Sequence, residues 1–77
     1  MTELVLFTTV GCHLCEQAES MLQLLGQQQS FILVKTDIAD QPELMERYGI
    51  RIPVVRNEIK GEEIGWPFDQ QQLLSLF

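Results

Sequence analysis

Basic residues are scarce in this sequence of 77 residues, which has five Lys and Arg against eleven Asp and Glu and a formal net charge of −6. The basic residues are scattered, and no two of them are adjacent. Nucleic acids and anionic membranes are bound mainly by Lys and Arg side chains that neutralise phosphates. We therefore expect neither a nucleic acid nor a membrane to be the main partner of this protein.

Long apolar runs are also missing. The run at residues 4–7 is far shorter than the roughly 18 apolar residues of a membrane span. It follows Glu3 and is preceded by no Lys or Arg, unlike the core of a secretory signal peptide. We therefore expect a cytoplasmic protein. A chain of this length has room for one core, so residues 1–77 are predicted to form a single domain.

Cysteine is limited to Cys12 and Cys15, which have the spacing Cys-x-x-Cys. In a reducing cytosol, a close pair of this kind is more often catalytic or metal-binding than a stable structural disulfide. A structural zinc site needs four ligands, whereas Cys12, His13 and Cys15 provide three within one short segment. Two chains could share zinc or an iron–sulfur cluster through these cysteines, and an inert pair is a further alternative.

The first half of the chain predicts two strands joined by a helix. Residues 4–8 and 31–37 contain apolar runs of strand length, which are typical of strands buried on both faces. Between them, apolar residues recur at helical spacing from Cys12 to about Leu25, and Gly26 is expected to end the helix. A right-handed crossover through this helix makes the two strands parallel.

The second half of the chain predicts a helix, a hairpin and a final helix. Asp40 can cap the second helix, and Glu43 can complete a capping box. Residues 54–55 and Ile64 are expected on two antiparallel strands joined by a short turn, and Asp69 is expected to cap the last helix. The predicted class is therefore α/β, with the element order β-α-β-α-β-β-α and a central mixed sheet covered by helices on both faces.

The spacing of the two cysteines suits reversible disulfide exchange. Residues at positions i and i+3 of a helix have Cβ atoms about 5–6 Å apart, and a small adjustment brings such a pair within disulfide range. The helix N-terminus offers free N–H groups and a partial positive charge, which favour a thiolate at the first cysteine. Cys12 is therefore the expected nucleophile, and the less exposed Cys15 is the expected resolving thiol. A protonated His13 would favour the thiolate further, although a solvent-facing position at the helix start is the simpler interpretation of His13.

Pro53 precedes the third predicted strand, within the stretch Arg51-Ile52-Pro53-Val54. A proline here has no N–H for a strand ladder, so it is favoured at an edge, at a first strand position or in a cis bond. A cis Ile52–Pro53 bond facing the helix start would expose the backbone of Ile52 to an incoming peptide or thiol. The residues alone do not decide between this cis form and an ordinary edge-strand proline.

The whole chain resembles the thioredoxin fold in its shortest, glutaredoxin-like form. The segments that look like those of small bacterial glutaredoxin-like proteins are Gly11-Cys12-His13-Leu14-Cys15-Glu16, Arg51-Ile52-Pro53-Val54 and Gly65-Trp66-Pro67-Phe68-Asp69. This resemblance implies a thiol–disulfide oxidoreductase in which Cys12 attacks and Cys15 resolves. It also implies a substrate groove shaped by a cis Pro53, with the neighbouring residues His13, Leu14, Ile52 and Trp66.

The chain departs from true glutaredoxins at three places. It carries His13-Leu14 where they have Pro-Tyr, residues 8–10 where they have a lysine, and a single glycine before Trp66 where they have a Gly-Gly turn. We expect Trp66 to fill or roof the place that glutathione would occupy, and plain packing is the alternative. No cofactor beyond the cysteines and no metal is expected, and glutathione is a candidate co-substrate.

The expected partners follow from this resemblance. They are a disulfide-containing protein or a small thiol substrate, together with an external reductant such as glutathione or a thioredoxin-reductase-like enzyme. The chain is expected to be a monomer. The alternative is a non-catalytic binding or adaptor module, or a dimeric metal or iron–sulfur carrier that uses the same cysteines.

Overall fold

The computed structural model describes residues 1–77 and contains four strands and three helices. In chain order they are β1 (Thr2–Thr8), α1 (His13–Leu25), β2 (Phe31–Asp37), α2 (Pro42–Tyr48), β3 (Val54–Asn57), β4 (Glu63–Gly65) and α3 (Gln70–Leu74). The predicted order β-α-β-α-β-β-α is confirmed. None of the three helices combines the length and the apolar character that crossing a lipid bilayer would require.

β1 lies inside a mixed sheet whose strand order is β2-β1-β3-β4. It pairs in parallel with β2, as the crossover predicts, and antiparallel with β3, which forms the predicted antiparallel hairpin with β4. Residues 4–7 are all buried, which explains the continuous apolar run of this strand. β1 begins at Thr2 rather than at Leu4, because its ladder with Phe31 and Ile32 extends beyond the buried residues.

The helices cover both faces of the sheet, as predicted. Alternate residues of a strand point to opposite faces, so β1 supplies two separate parts of the core. Leu4 and Leu6 belong to the larger cluster, together with residues of α1 and α3. Val5 and Phe7 belong to the smaller cluster, with Tyr48 of α2.

β2 is the main error of the sequence-based prediction. The sequence predicts a strand buried on both faces, but β2 lies at the edge of the sheet, and Ile32 and Val34 are 49% and 39% exposed. On the other face, Phe31 and Leu33 pack partly against the larger cluster. The smaller cluster includes neither Ile32 nor Val34, because the short α2 does not extend over them.

The starts of α2 and α3 differ in how well the sequence predicts them. The Asp69 side chain accepts a hydrogen bond from the Gln72 N–H at 2.8 Å, and the Gln72 side chain accepts one from the Asp69 N–H at 2.9 Å, so this capping box is confirmed. The predicted cap of α2 by Asp40 and its box with Glu43 are wrong, because Gln41 is the N-cap and makes no side-chain cap bond. Pro42 occupies the first turn, where the missing N–H costs no helical hydrogen bond.

Candidate active site

Cys12 is the N-cap residue of α1, so the helix begins one residue later than the sequence predicts. Its backbone is extended, and its Sγ accepts a hydrogen bond from the Cys15 N–H at 3.2 Å. This is the position where Ser, Thr or Asp usually satisfies a free N–H group of a first turn. The sulfur of Cys12 therefore lies at the positive end of the helix dipole, where negative charge is favoured.

A disulfide joins Cys12 and Cys15 in this structure, with the two Cα atoms 5.2 Å apart. The two residues differ in exposure, because Cys15 is 3% exposed whereas Cys12 is only half-buried. Cys15 packs under the first turn of α1, and Cys12 lies at its open end. An incoming thiol or disulfide can therefore reach Cys12 more readily than Cys15.

A cleft of about 420 Å³ lies beside the two cysteines. Its walls are formed by the loop at residues 8–11, by Glu16 and Glu19 of α1, and by Lys35 and Asp37 of β2. Lys35 Nζ lies 3.2 Å from Glu19 Oε1, and Asp37 Oδ1 accepts a hydrogen bond from the Ala39 N–H at 2.8 Å. Carboxylates therefore outnumber the single Lys35 in the lining of this cleft.

The sequence analysis did not predict this cleft. Its walls come from two segments, residues 8–19 and residues 35–37, which are separated along the chain and meet because β1 and β2 pair in parallel, with Thr8 beside Asp37. The one signal in the sequence is that polar residues end both strands, at Thr8 and at Asp37. Carboxyl ends of neighbouring parallel strands meet at the same edge of a sheet, where ligand sites are common.

The residues predicted to bind substrate lie outside this cleft. The β1–β3 register pairs Phe7 with Val54, which places Pro53 at the same end of the sheet as the loop that leads to Cys12. The Ile52–Pro53 bond is cis, as predicted, and Pro53 is buried. The Trp66 N–H donates to the Pro53 carbonyl at 3.0 Å, so the loops that carry these two residues are joined by a backbone bond.

The remaining predicted site residues differ in solvent exposure. The His13 side chain is 92% exposed, and its Nδ1 lies 3.5 Å from Glu16 Oε2. Leu14 is exposed although it is apolar. Trp66 is partly buried, and its ring packs edge-on against Phe68 with the centroids 5.2 Å apart. Trp66 thus packs against the protein, as the alternative interpretation of plain packing expects. His13 and Leu14 lie exposed at the start of α1.

Tyr48 holds the loop that leads to Pro53. Its carbonyl accepts hydrogen bonds from the Arg51 N–H at 2.7 Å and from the Ile52 N–H at 3.1 Å. Its hydroxyl donates to Glu63 Oε2 at 2.8 Å, and its ring stacks on Phe7 at a centroid distance of 4.3 Å. The sequence analysis assigned no such role to Tyr48, because its contacts with Phe7 of β1 and Glu63 of β4 join segments distant in the chain.

Alkaline titration should show the burial of Tyr48. Burial, followed by the hydrogen bond to Glu63, raises the pKa of Tyr48 above its ordinary value. The stability that this neutral phenol contributes is complete below the unfolded pKa of about 10 and is lost as the pH rises through the higher folded pKa. Tyr48 is the only tyrosine, so phenolate absorbance should give a higher midpoint for the folded protein than for the chain in urea. Equal midpoints would contradict this prediction, and Tyr48→Phe provides the blank.

Comparisons with known proteins agree with this architecture. A family model described as a glutaredoxin-like domain (DUF836) matches residues 3–77. The X-ray structure of the Northeast Structural Genomics target protein XcR50 from X. campestris is 36% identical, with a TM-score of 0.77, and the match covers 94% of this chain and 91% of that chain. For protein Ne2328 from Nitrosomonas europaea, the identity is 27%, the TM-score is 0.85, and the coverage is 96% and 88%.

A thioredoxin is also among the similar structures. A mutant thioredoxin from Halobacterium salinarum is 25% identical, with a TM-score of 0.74, and the match covers 97% of this chain and 70% of that chain. The comparison with curated proteins finds no match. Since the family model spans nearly all of the sequence and the fold is thioredoxin-like, the chain belongs to the glutaredoxin-like domain family (DUF836).

Proposed function

We propose that this protein is a thiol–disulfide oxidoreductase that exchanges its Cys12–Cys15 pair with disulfides of proteins or small molecules. The observation that carries the proposal is the closed disulfide across the first turn of α1, with one sulfur at the N-cap and the other buried. Membership in a glutaredoxin-like family supports the same class of chemistry. We propose the cytoplasm as its compartment, because a reducing environment keeps such a pair in use.

The first step of substrate reduction takes place at Cys12. The Cys12 thiolate attacks one sulfur of the substrate disulfide, and the other substrate sulfur leaves as a thiolate that takes up a proton. The Cys15 N–H, which donates to Cys12 Sγ, stabilises the attacking thiolate before the bond forms. The product is a mixed disulfide between Cys12 and the substrate.

The second step takes place between the two cysteines. The Cys15 thiol loses its proton and attacks the Cys12 sulfur, which releases the second substrate thiolate and closes the Cys12–Cys15 disulfide. The substrate thereby gains two electrons and two protons, and the protein is left in the oxidised form that the structure shows. Two external thiols or one dithiol must then be oxidised to return the pair to its reduced form. We propose that this reductant is glutathione or a thioredoxin-reductase-like enzyme.

We propose substrate contacts at the end of the sheet where Cys12 lies. His13 and Leu14 are exposed beside Cys12, and the Ile52–Pro53 segment lies at the same end of the sheet. The Ile52 N–H already donates to the Tyr48 carbonyl, so an extended peptide could donate a hydrogen bond to the Ile52 carbonyl while its disulfide meets Cys12. Trp66 borders this region through its backbone bond to Pro53.

A redox titration tests the proposal. The protein is equilibrated in glutathione buffers of graded potential, and its free thiols are counted by the mass that a thiol-trapping reagent adds. We expect a reversible two-electron transition between about −180 and −270 mV, the range of proteins that exchange disulfides. A Cys15→Ser chain is the control, because it cannot close the disulfide: it should lose only its single thiol, and with the added mass of one glutathione. If the wild-type thiols neither pair nor exchange, the proposal is wrong, and colour or bound metal in the fresh protein would then support the carrier alternative.

A further inference from the structure

We propose that two copies of this chain associate through the free edge of β2. This strand pairs only with β1 and forms one end of the sheet. Apart from the β1–β2 ladder, no hydrogen bond engages the backbone of Phe31–Asp37. A free edge of seven residues is long for a sheet edge that nothing covers, and such edges readily pair with another chain.

The register identifies which backbone groups face the free edge. The Ile38 N–H donates to the Thr8 carbonyl, so the backbone of Ile38 is directed towards β1. Successive residues of a strand direct their N–H and C=O groups to opposite sides, so Ile32 and Val34 share this direction. The backbone groups of Phe31, Leu33 and Lys35 are therefore directed outwards and have no partner.

The exposed side chains of the same strand are apolar. Ile32 and Val34 lie on one face, beside the part of the sheet that α2 leaves uncovered. Natural edge strands usually carry charges, prolines or bulges that prevent pairing. β2 carries one exposed lysine, Lys35, and its exposed Ile and Val side chains are instead suited to contact with another strand.

Charge favours a second copy as the occupant of this edge. Among residues 31–36 of this edge only Lys35 is charged, and it pairs with Glu19 of α1 at 3.2 Å, so the edge has little net charge although the chain has eleven acidic residues. Two copies with a net charge of −6 repel each other least where both present such a segment. A basic partner would instead be attracted to the acidic surfaces elsewhere on the chain.

In one antiparallel register, the outward-directed backbone groups form hydrogen bonds and the exposed apolar side chains lie opposite each other. When Leu33 lies opposite the Leu33 of the second copy, Phe31 lies opposite Lys35, and these outward-directed residues form hydrogen-bonded pairs. Ile32 then faces the Val34 of the second copy in non-hydrogen-bonded pairs, whose Cα atoms are only about 4.5 Å apart. A shift of the pairing by two residues would set Ile32 against Thr36, or Val34 against Ser30, so the apolar contact selects this register.

The pairing would also change the surroundings of the cysteines. Lys35 lines the cleft beside Cys12 and Cys15, and in this register the Phe31 of the second copy lies against Lys35. The second copy therefore comes next to the β2 wall of the cleft, while its Phe31 ring stays packed beside its own Phe77. Because a single strand edge buries little surface, the association is weak, and the monomer expected from the sequence is the species at low concentration.

Sedimentation at rising protein concentration tests the proposed pairing. The average mass should rise from the one-chain value of 8.9 kDa towards twice that value. Val34→Lys places a charge opposite Ile32 and should keep the chain at the one-chain mass. Ile59→Lys adds the same charge at a turn residue that is 71% exposed and should behave like the wild type. Circular dichroism melting checks that each variant is folded.

Amide hydrogen exchange identifies the edge involved. The Leu33 and Lys35 N–H groups should exchange more slowly as the concentration rises, whereas the Val34 N–H, already directed to β1, should not change. Three results would each overturn the proposal: a mass that stays at one chain throughout, a dimer that persists in Val34→Lys, or a dimer that leaves Leu33 and Lys35 unprotected. The last would point to a different surface.

Discussion

Replacing Cys12 with serine is expected to reduce disulfide exchange to the rate of the buffer alone. A serine hydroxyl stays protonated at neutral pH and does not attack disulfides, for which a thiolate is required. Cys15 cannot take over, because it is 3% exposed and lies under the first turn of α1. Serine can still accept the N-cap hydrogen bond that Cys12 Sγ now accepts from the Cys15 N–H. The fold should therefore persist, and the loss would report on chemistry rather than on stability.

The matched variant Cys15→Ser should fail one step later. Its Cys12 can still attack, but no second thiol releases the mixed disulfide, so the protein should accumulate bound one-to-one to its substrate. Both variants can be followed by thiol release from a small aromatic disulfide and by intact mass. Measurable exchange by Cys12→Ser would contradict the assignment of the nucleophile. Multiple turnover by Cys15→Ser at the wild-type rate would contradict the dithiol mechanism.

Replacing Asn57 with alanine is expected to lower the free energy of unfolding by about 2–4 kcal/mol. Asn57 is buried at the end of β3, where its Nδ2 donates to the Leu76 carbonyl at 2.6 Å. Its Oδ1 accepts from the Ile59 N–H at 3.0 Å and from the Lys60 N–H at 3.1 Å. Alanine would leave the buried Leu76 carbonyl without this donor, which costs about 1–3 kcal/mol, and would also remove the two bonds that hold the turn at Ile59 and Lys60.

Urea unfolding measures this loss. A domain of this size has a total stability of about 4–11 kcal/mol, so the unfolding midpoint should fall strongly. Ile59→Ala changes an exposed side chain in the same turn and should stay within about 0.5 kcal/mol of the wild type. A decrease for Asn57→Ala no larger than that of this control would mean that the side-chain bonds contribute no net stability.

The cysteine pair shows how much of the site follows from local sequence. The spacing of Cys12 and Cys15 and their place at a helix start are properties of one short segment, and the structure shows the disulfide that this spacing permits. The cis bond before Pro53 was expected from the resemblance to the thioredoxin fold, whereas the residues around Pro53 did not decide it. The cleft beside the cysteines was not predicted, because Lys35 and Asp37 reach it only through the pairing of β2 with β1.

Residue type and spacing along the chain were sufficient for the element order, for the hairpin and for the capping box of Asp69, because these features depend on neighbours a few residues away. The tertiary structure alone decided that β2 is an edge strand, that Asn57 is buried and that Tyr48 contacts Phe7 and Glu63. An apolar run such as that of β2 has the same pattern in the middle of a sheet and at its edge. Its exposure depends on which strand or helix packs beside it, and that contact is made between segments distant in the chain.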